Sequence, residues 1–250
     1  MKTLFAYLIT FRIPISPRTS VTYFLCLLFG ILIPIIYISL REFFNNTIRS
    51  KKDLQIHSNI PILGLIGHSD KLTNLVVPKN SKSVISESFR SIRTNLQYLA
   101  VEKERKIITV SSSIGGEGKT FCSMNLASIF ALSGHKTILI GADLRKPKLE
   151  LEFKLENKNG LSNYLINKSS LEEIINKTEV DSLDIMFSGP TPPNPAELLD
   201  SNKMKDLIKE LNQKYDYVII DTPPIGLVTD GVILMRNADI NLYVVRHNYT

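Results

Sequence analysis

Cysteine is scarce in this 250-residue sequence, which carries only Cys26 and Cys122. The first sits in an uncharged apolar run and the second just behind a glycine-rich loop, so no disulfide is expected and a reducing compartment suits the chain. Acid is nearly missing from residues 1–50, where Glu42 stands alone against Lys2, Arg12, Arg18, Arg41 and Arg49. That bias contributes to a net charge of +6. No stretch interleaves basic clusters with aromatics, which excludes nucleic acid as the expected partner and points to a membrane surface. Internal repeats and low-complexity tracts are absent, and 44% apolar content excludes a disordered chain. The length accommodates one α/β core of about 150 to 200 residues beside something smaller.

Charge is lacking altogether from Val21 to Leu40. At about 1.5 Å per residue this run reaches about 30 Å, the thickness of a hydrocarbon core, and is expected to form one transmembrane helix. Gly30 and Pro34 are tolerated in lipid, and Tyr23 and Tyr37 suit its interfaces. A buried core helix rarely runs so long without a polar face. A cleaved signal peptide is disfavoured because the run begins late and no small-residue cleavage site precedes Arg41. The earlier apolar run Leu4 to Phe11 is too short to span. Arg41, Arg49, Lys51 and Lys52 flank one side and Arg12 and Arg18 the other, a bias that favours a cytoplasmic position for residues 41–250. The expected organisation is an extracytoplasmic flank at 1–20, the span at 21–40, a juxtamembrane linker at 41–80 and an α/β domain at 81–250.

Within that domain, near-continuous apolar runs mark strands at Lys106–Val110, Thr137–Ile140, Leu183–Phe187, Tyr217–Ile220 and Ile240–Val245. Helical periodicity falls between them at Lys119–Leu132, Leu161–Ile175 and Ala196–Leu211. The economical architecture is a doubly wound, mostly parallel sheet. Between the first strand and its helix lies Ser113-Ile114-Gly115-Gly116-Glu117-Gly118-Lys119-Thr120. Backbone N–H groups of such a loop and the positive end of the following helix converge on phosphate. Lys119 adds a point charge, and the Thr120 hydroxyl is suited to Mg²⁺. The bland alternative is an ordinary glycine-rich turn. ATP with Mg²⁺ is the expected ligand, and a domain that uses it belongs on the cytoplasmic side.

Two carboxylates arrive at the strand ends where ligands bind in open α/β sheets: Asp143 after Ile138-Leu139-Ile140-Gly141-Ala142, and Asp221 after Tyr217-Val218-Ile219-Ile220. Asp in that position often serves only to cap a turn. A pair beside a phosphate loop can instead hold Mg²⁺ and its waters, with one available to receive a proton from an acceptor hydroxyl. A further helix is predicted over Ser83–Ala100, with Ile85, Phe89, Ile92, Leu96 and Leu99 facing a core. Glu87, Arg90 and Arg93 fall on another face, where local i,i+3 pairing on a solvated surface is the plain reading.

Together these segments resemble the bacterial tyrosine kinases of capsular and exopolysaccharide export in their membrane-fused form. Ser111 to Thr120 looks like the family's Walker A motif, Ile138 to Pro147 like its Walker A′ and Tyr215 to Pro224 like its Walker B. Ser188-Gly189-Pro190 with Pro192 to Leu199, and Ile13 to Arg18 with Ile60 to Gly64, look like further family segments. The resemblance implies a P-loop kinase domain at 81–250 with Lys119, Asp143 and Asp221 as catalytic residues, and Thr120, Asp143 and Asp221 as the metal set. Ser113, Gly115, Gly116, Glu117, Gly118, Lys119 and Thr120 would hold nucleotide. Glu87, Arg90 and Arg93, similar to the family's Glu-x-x-Arg-x-x-Arg, imply contacts between sister subunits of a ring. It further implies the polysaccharide export and polymerisation machinery as partner, a single-pass location in the bacterial inner membrane, and a chain that stops before the family's last helix, last strand and tyrosine-rich tail. Two positions depart from the family's pattern, where Gly141 replaces the first Asp of an Asp-x-Asp pair and Gly115 a common Pro, and Ser113 departs from the general loop signature, in which Gly or Ala is usual. Alternative readings are a MinD/ParA-type ATPase, against which stands Ile114 at the signature lysine position, and a catalytically inactive nucleotide-binding assembly subunit.

Overall fold

The structure is a computed structural model that describes residues 19–44, 47–68, 74–99, 106–153 and 159–250. The flank at residues 1–18, with Arg12, Arg18 and the Ile13 to Arg18 segment, lies outside them, as does Ala100 at the end of a predicted helix. The chain divides into two compact units, Met1–Thr47 and Ile48–Thr250.

The described part of the first unit is a helix, Thr19–Phe43, that contains the run expected to span and continues past it at both ends. Its 25 residues extend about 37 Å, and its apolar window has a mean hydropathy of 2.5. No residue on it is buried. In length and composition it suffices to cross a membrane.

The second unit is built on a six-stranded sheet: β1 (Lys106–Ser112), β2 (Thr137–Gly141), β3 (Ile175–Lys177), β4 (Leu183–Met186), β5 (Tyr217–Asp221) and β6 (Ile240–Val244), in the order β3-β4-β2-β5-β1-β6. All neighbours run parallel except β3 and β4. Alternation along each strand sorts side chains onto opposite faces. Ile108, Val110, Leu139, Ile185 and Ile219 pack on one side under the helices Val84–Leu99 and Lys119–Leu132. Ile107, Ile138, Ile140, Met186, Val218 and Ile220 pack on the other with Leu207, Ile208 and Leu211 of the helix Asn202–Lys214. Coverage on both faces explains why the central strands read as near-continuous apolar runs. The sheet is thus the doubly wound, mostly parallel one expected.

Ile85, Phe89, Ile92 and Leu96 are buried, as the spacing of the helix Val84–Leu99 requires. Against that helix lies the segment carrying Leu63 and Gly64: Asn95 Nδ2 donates to the Leu63 carbonyl at 2.7 Å. A Cβ on Gly64 would stand 2.6 Å from Ile92 Cγ1, so only glycine permits this approach. Val76 and Val77, within the segment read as linker, are fully buried. Asn125 pins them there, its Oδ1 accepting both of their N–H groups at 2.9 Å.

Two predicted helices are each divided. Leu161–Ile175 becomes helices Leu161–Leu165 and Leu171–Ile174 followed by β3. The break falls at Asn167, whose φ of 62° ends the first turn, and Ser170 restarts the chain, its N–H donating to Glu173 Oε2 at 2.9 Å. Ala196–Leu211 becomes Pro195–Asp200 and Asn202–Lys214, separated by Ser201, whose side chain caps the second helix through the Met204 N–H.

Candidate active site

Strand register builds the site. Asp221 ends β5 between Val110 of β1 and Gly141 of β2, and the Ala142 N–H continues the ladder onto the Asp221 carbonyl at 2.9 Å. The phosphate-type loop leaves the carboxyl end of β1, so loop and carboxylate emerge at one edge of the sheet. Asp143 lies two residues beyond Gly141, and its Oδ1 accepts from the Lys146 N–H at 3.0 Å in a turn.

Within the loop, Gly116 and Gly118 have φ of 91° and 96°, the left-handed region that glycine alone enters freely. The helix Lys119–Leu132 begins without a side-chain cap, which suits its first-turn N–H groups to an anion. Glu117 is buried, and its Oε2 accepts from the Ile114 N–H at 2.9 Å. The Ser113 hydroxyl is hydrogen-bonded to that of Tyr243. Both side chains therefore serve the shape of the loop. Among the described residues, no atom beyond the glycine's own chain neighbours lies within 4 Å of where a Cβ on Gly115 or Gly118 would point.

Lys119 Nζ stands 3.4 Å from Asp143 Oδ2 and 4.0 Å from Asp221 Oδ1. The Thr120 hydroxyl donates to Asp221 Oδ2 at 2.8 Å. Lys119, Thr120, Asp143 and Asp221 are thus gathered into one cluster. Ser123, which sequence reasoning passed over, donates to Asp221 Oδ1 at 3.1 Å. Its position one helical turn after Lys119 was the available signal. Burial pushes the Asp221 carboxyl above the usual carboxylate range; the Lys119 ammonium and the Thr120 and Ser123 hydroxyls oppose that rise, and Asp143 adds to it. A cation brought to this cluster would favour the ionised form. Hard oxygen donors from Thr120, Asp143 and Asp221 fit Mg²⁺, and the glycine-lined loop beside Lys119 fits phosphate.

A Cβ on Gly141 would meet Leu149 Cδ1 and Ser188 Oγ, each at 3.0 Å, so the residue there is closely enclosed. Asp230, fully buried, is held by Arg145 through bonds of 2.7 and 3.1 Å. This pair ties the segment after β2 to the segment after β5. The residues Glu87, Arg90 and Arg93 lie apart from the cluster, on the helix Val84–Leu99. Glu87 and Arg90 form the i,i+3 ion pair that their spacing predicts, and Arg90 Nη2 also donates to the Ser81 carbonyl at 2.8 Å. Arg93 is half-buried.

A family described as an AAA domain matches residues 105–249. The chain is similar to tyrosine-protein kinase YwqD of Bacillus subtilis (strain 168), with 44% identity over 71% of this chain and 75% of that protein. It is 42% identical to a putative tyrosine-protein kinase, CapB, of Staphylococcus aureus, over 66% of this chain and 72% of that one. Among solved structures, the kinase domain of the Escherichia coli tyrosine kinase ETK superimposes with a TM-score of 0.75 at 32% identity, covering 79% of this chain and 82% of that one.

Proposed function

This chain belongs to the bacterial tyrosine-protein kinases, and from that membership we propose a membrane-anchored kinase that moves the γ-phosphoryl group of ATP onto tyrosine hydroxyls of its own or sister subunits. Its setting is capsule and exopolysaccharide production, with the export and polymerisation machinery as partner. The observation that carries this reading is the gathering of Lys119, Thr120, Asp143 and Asp221 within hydrogen-bonding or ion-pairing reach. Relatives named as kinases do not favour a partitioning ATPase or an inactive assembly subunit.

The loop amides and the start of the helix Lys119–Leu132 hold phosphate oxygens, and Lys119 exchanges its carboxylate partners for them. Thr120, Asp143 and Asp221 would hold Mg²⁺, which when bound would supply charge neutralisation. Ser123 fixes the rotamer of Asp221, and Lys146 N–H that of Asp143. The protein's contribution is positioning and charge, which suits phosphoryl transfer.

The helix Thr19–Phe43 anchors the chain in the bacterial inner membrane. Arg41, Arg49, Lys51 and Lys52 favour the cytoplasmic side for the domain at 81–250, where ATP is supplied. Glu87, Arg90 and Arg93 serve contacts between sister subunits in a homo-oligomeric ring. Incubation of the full chain with γ-labelled ATP is expected to place label on tyrosine, and Lys119→Met is expected to abolish it. Labelling of Lys119→Met at the parent level would overturn the assignment.

A further inference from the structure

The phosphate-type loop is gripped from outside by β6 and the segment that runs off its end. Tyr243 hydrogen-bonds Ser113, and Thr250 hydrogen-bonds Glu117. Arg246 Nη1 donates to the Gly116 carbonyl at 2.8 Å, and the Tyr249 hydroxyl donates to the Gly115 carbonyl at 2.9 Å. The Arg246 guanidinium lies over the Tyr249 ring, 5.0 Å from its centroid, so the two donors stabilise each other's placement. The Tyr249 hydroxyl also stands 2.8 Å from the point where a Cβ on Gly116 would lie.

A glycine-rich loop is free to turn its peptide planes, and a plane turned the wrong way aims a carbonyl oxygen at the phosphate. Among the described residues every peptide bond is trans, and in a trans peptide C=O and N–H point in opposite directions. Drawing the Gly115 carbonyl toward Tyr249 turns the Gly116 N–H away from it. Drawing the Gly116 carbonyl toward Arg246 does the same for the Glu117 N–H. The Ile114 N–H is already committed to Glu117 Oε2, so these amides matter more than their number suggests.

We propose that Arg246 and Tyr249 are positioning residues of the nucleotide site, which fix two peptide planes of the loop so that the N–H groups of Gly116 and Glu117 meet the phosphates. This rests on the loop holding nucleotide, as in the proposed kinase function. Both residues act through the loop backbone, by bonds to the carbonyls of Gly115 and Gly116.

The test uses the full chain in detergent micelles, with ADP as probe. Tyr249→Phe removes one hydroxyl and no charge, and is expected to weaken ADP binding about five- to tenfold. Arg246→Met is expected to weaken it at least as much. In the parent the amide signals of Gly116 and Glu117 are expected to move downfield when ADP is added, and in Tyr249→Phe that movement is expected to shrink, a signature that mere packing would leave unchanged. If the parent binds ADP in a Lys119-dependent way and both variants bind within about twofold of it, the positioning role is overturned and the functional reading stands. If the parent shows no Lys119-dependent binding, both fall. Should Arg246→Met fail to fold, Tyr249→Phe decides alone.

Discussion

Cys122 shows how closely the site's electrostatics reach into its support. It lies one turn into the helix Lys119–Leu132, and burial, with the nearby Asp221 charge, pushes its thiol from 9.0 up to about 12. The thiolate is the reactive form, so alkylation at pH 8 is expected to be at least about a hundredfold slower in the folded chain than in denaturant. Peptide mass spectrometry after iodoacetamide treatment would check this; equal rates would contradict it. Between about 9 and about 12 the unfolded chain has lost a proton that the folded chain keeps, so this thiol's contribution to stability is present below 9 and lost as pH rises.

At the scale of elements, the join between the segment at 74–79 and the phosphate-loop helix depends on one buried amide. Asn125 accepts from the N–H groups of Val76 and Val77 and donates to the Asn74 and Phe121 carbonyls at 2.7 and 2.9 Å. Asn125→Ala strands two buried N–H groups and is expected to cost about 2 to 4 kcal/mol in urea unfolding. A loss below about 0.5 kcal/mol would contradict the contact's importance.

The same scale shows what the sequence could reveal. The central strands were legible because burial on both faces leaves continuous apolar runs such as Val218-Ile219-Ile220. β3 was not, because Ile175-Asn176-Lys177 is short, lies at an edge and sits within a stretch of helical period. The clustering of Lys119 with Asp143 and Asp221 came from strand-end positions that register then aligned. The grip of Tyr243, Arg246 and Tyr249 on the loop had no local signal, since it joins residues 130 or more positions apart.

Across the whole molecule, the ring proposal places new contacts on a helix face that is already internally paired. The Glu87–Arg90 pair is solvent-exposed, so within one protomer it contributes about 0 to 1 kcal/mol and its loss barely moves melting. Replacing Glu87, Arg90 and Arg93 together with Ala is therefore expected to lower assembly mass by light scattering, and phosphorylation between subunits with it. A folded triple variant of unchanged mass would rule the surface out.

Phosphotyrosine formation by Asp143→Asn and Asp221→Asn, tracked across a Mg²⁺ titration, tests the central claim most directly. The two carboxylates beside Lys119 are expected to be worth at least about a hundredfold each in rate, with saturation displaced to higher Mg²⁺. Parental rates and parental Mg²⁺ dependence in both variants would contradict it.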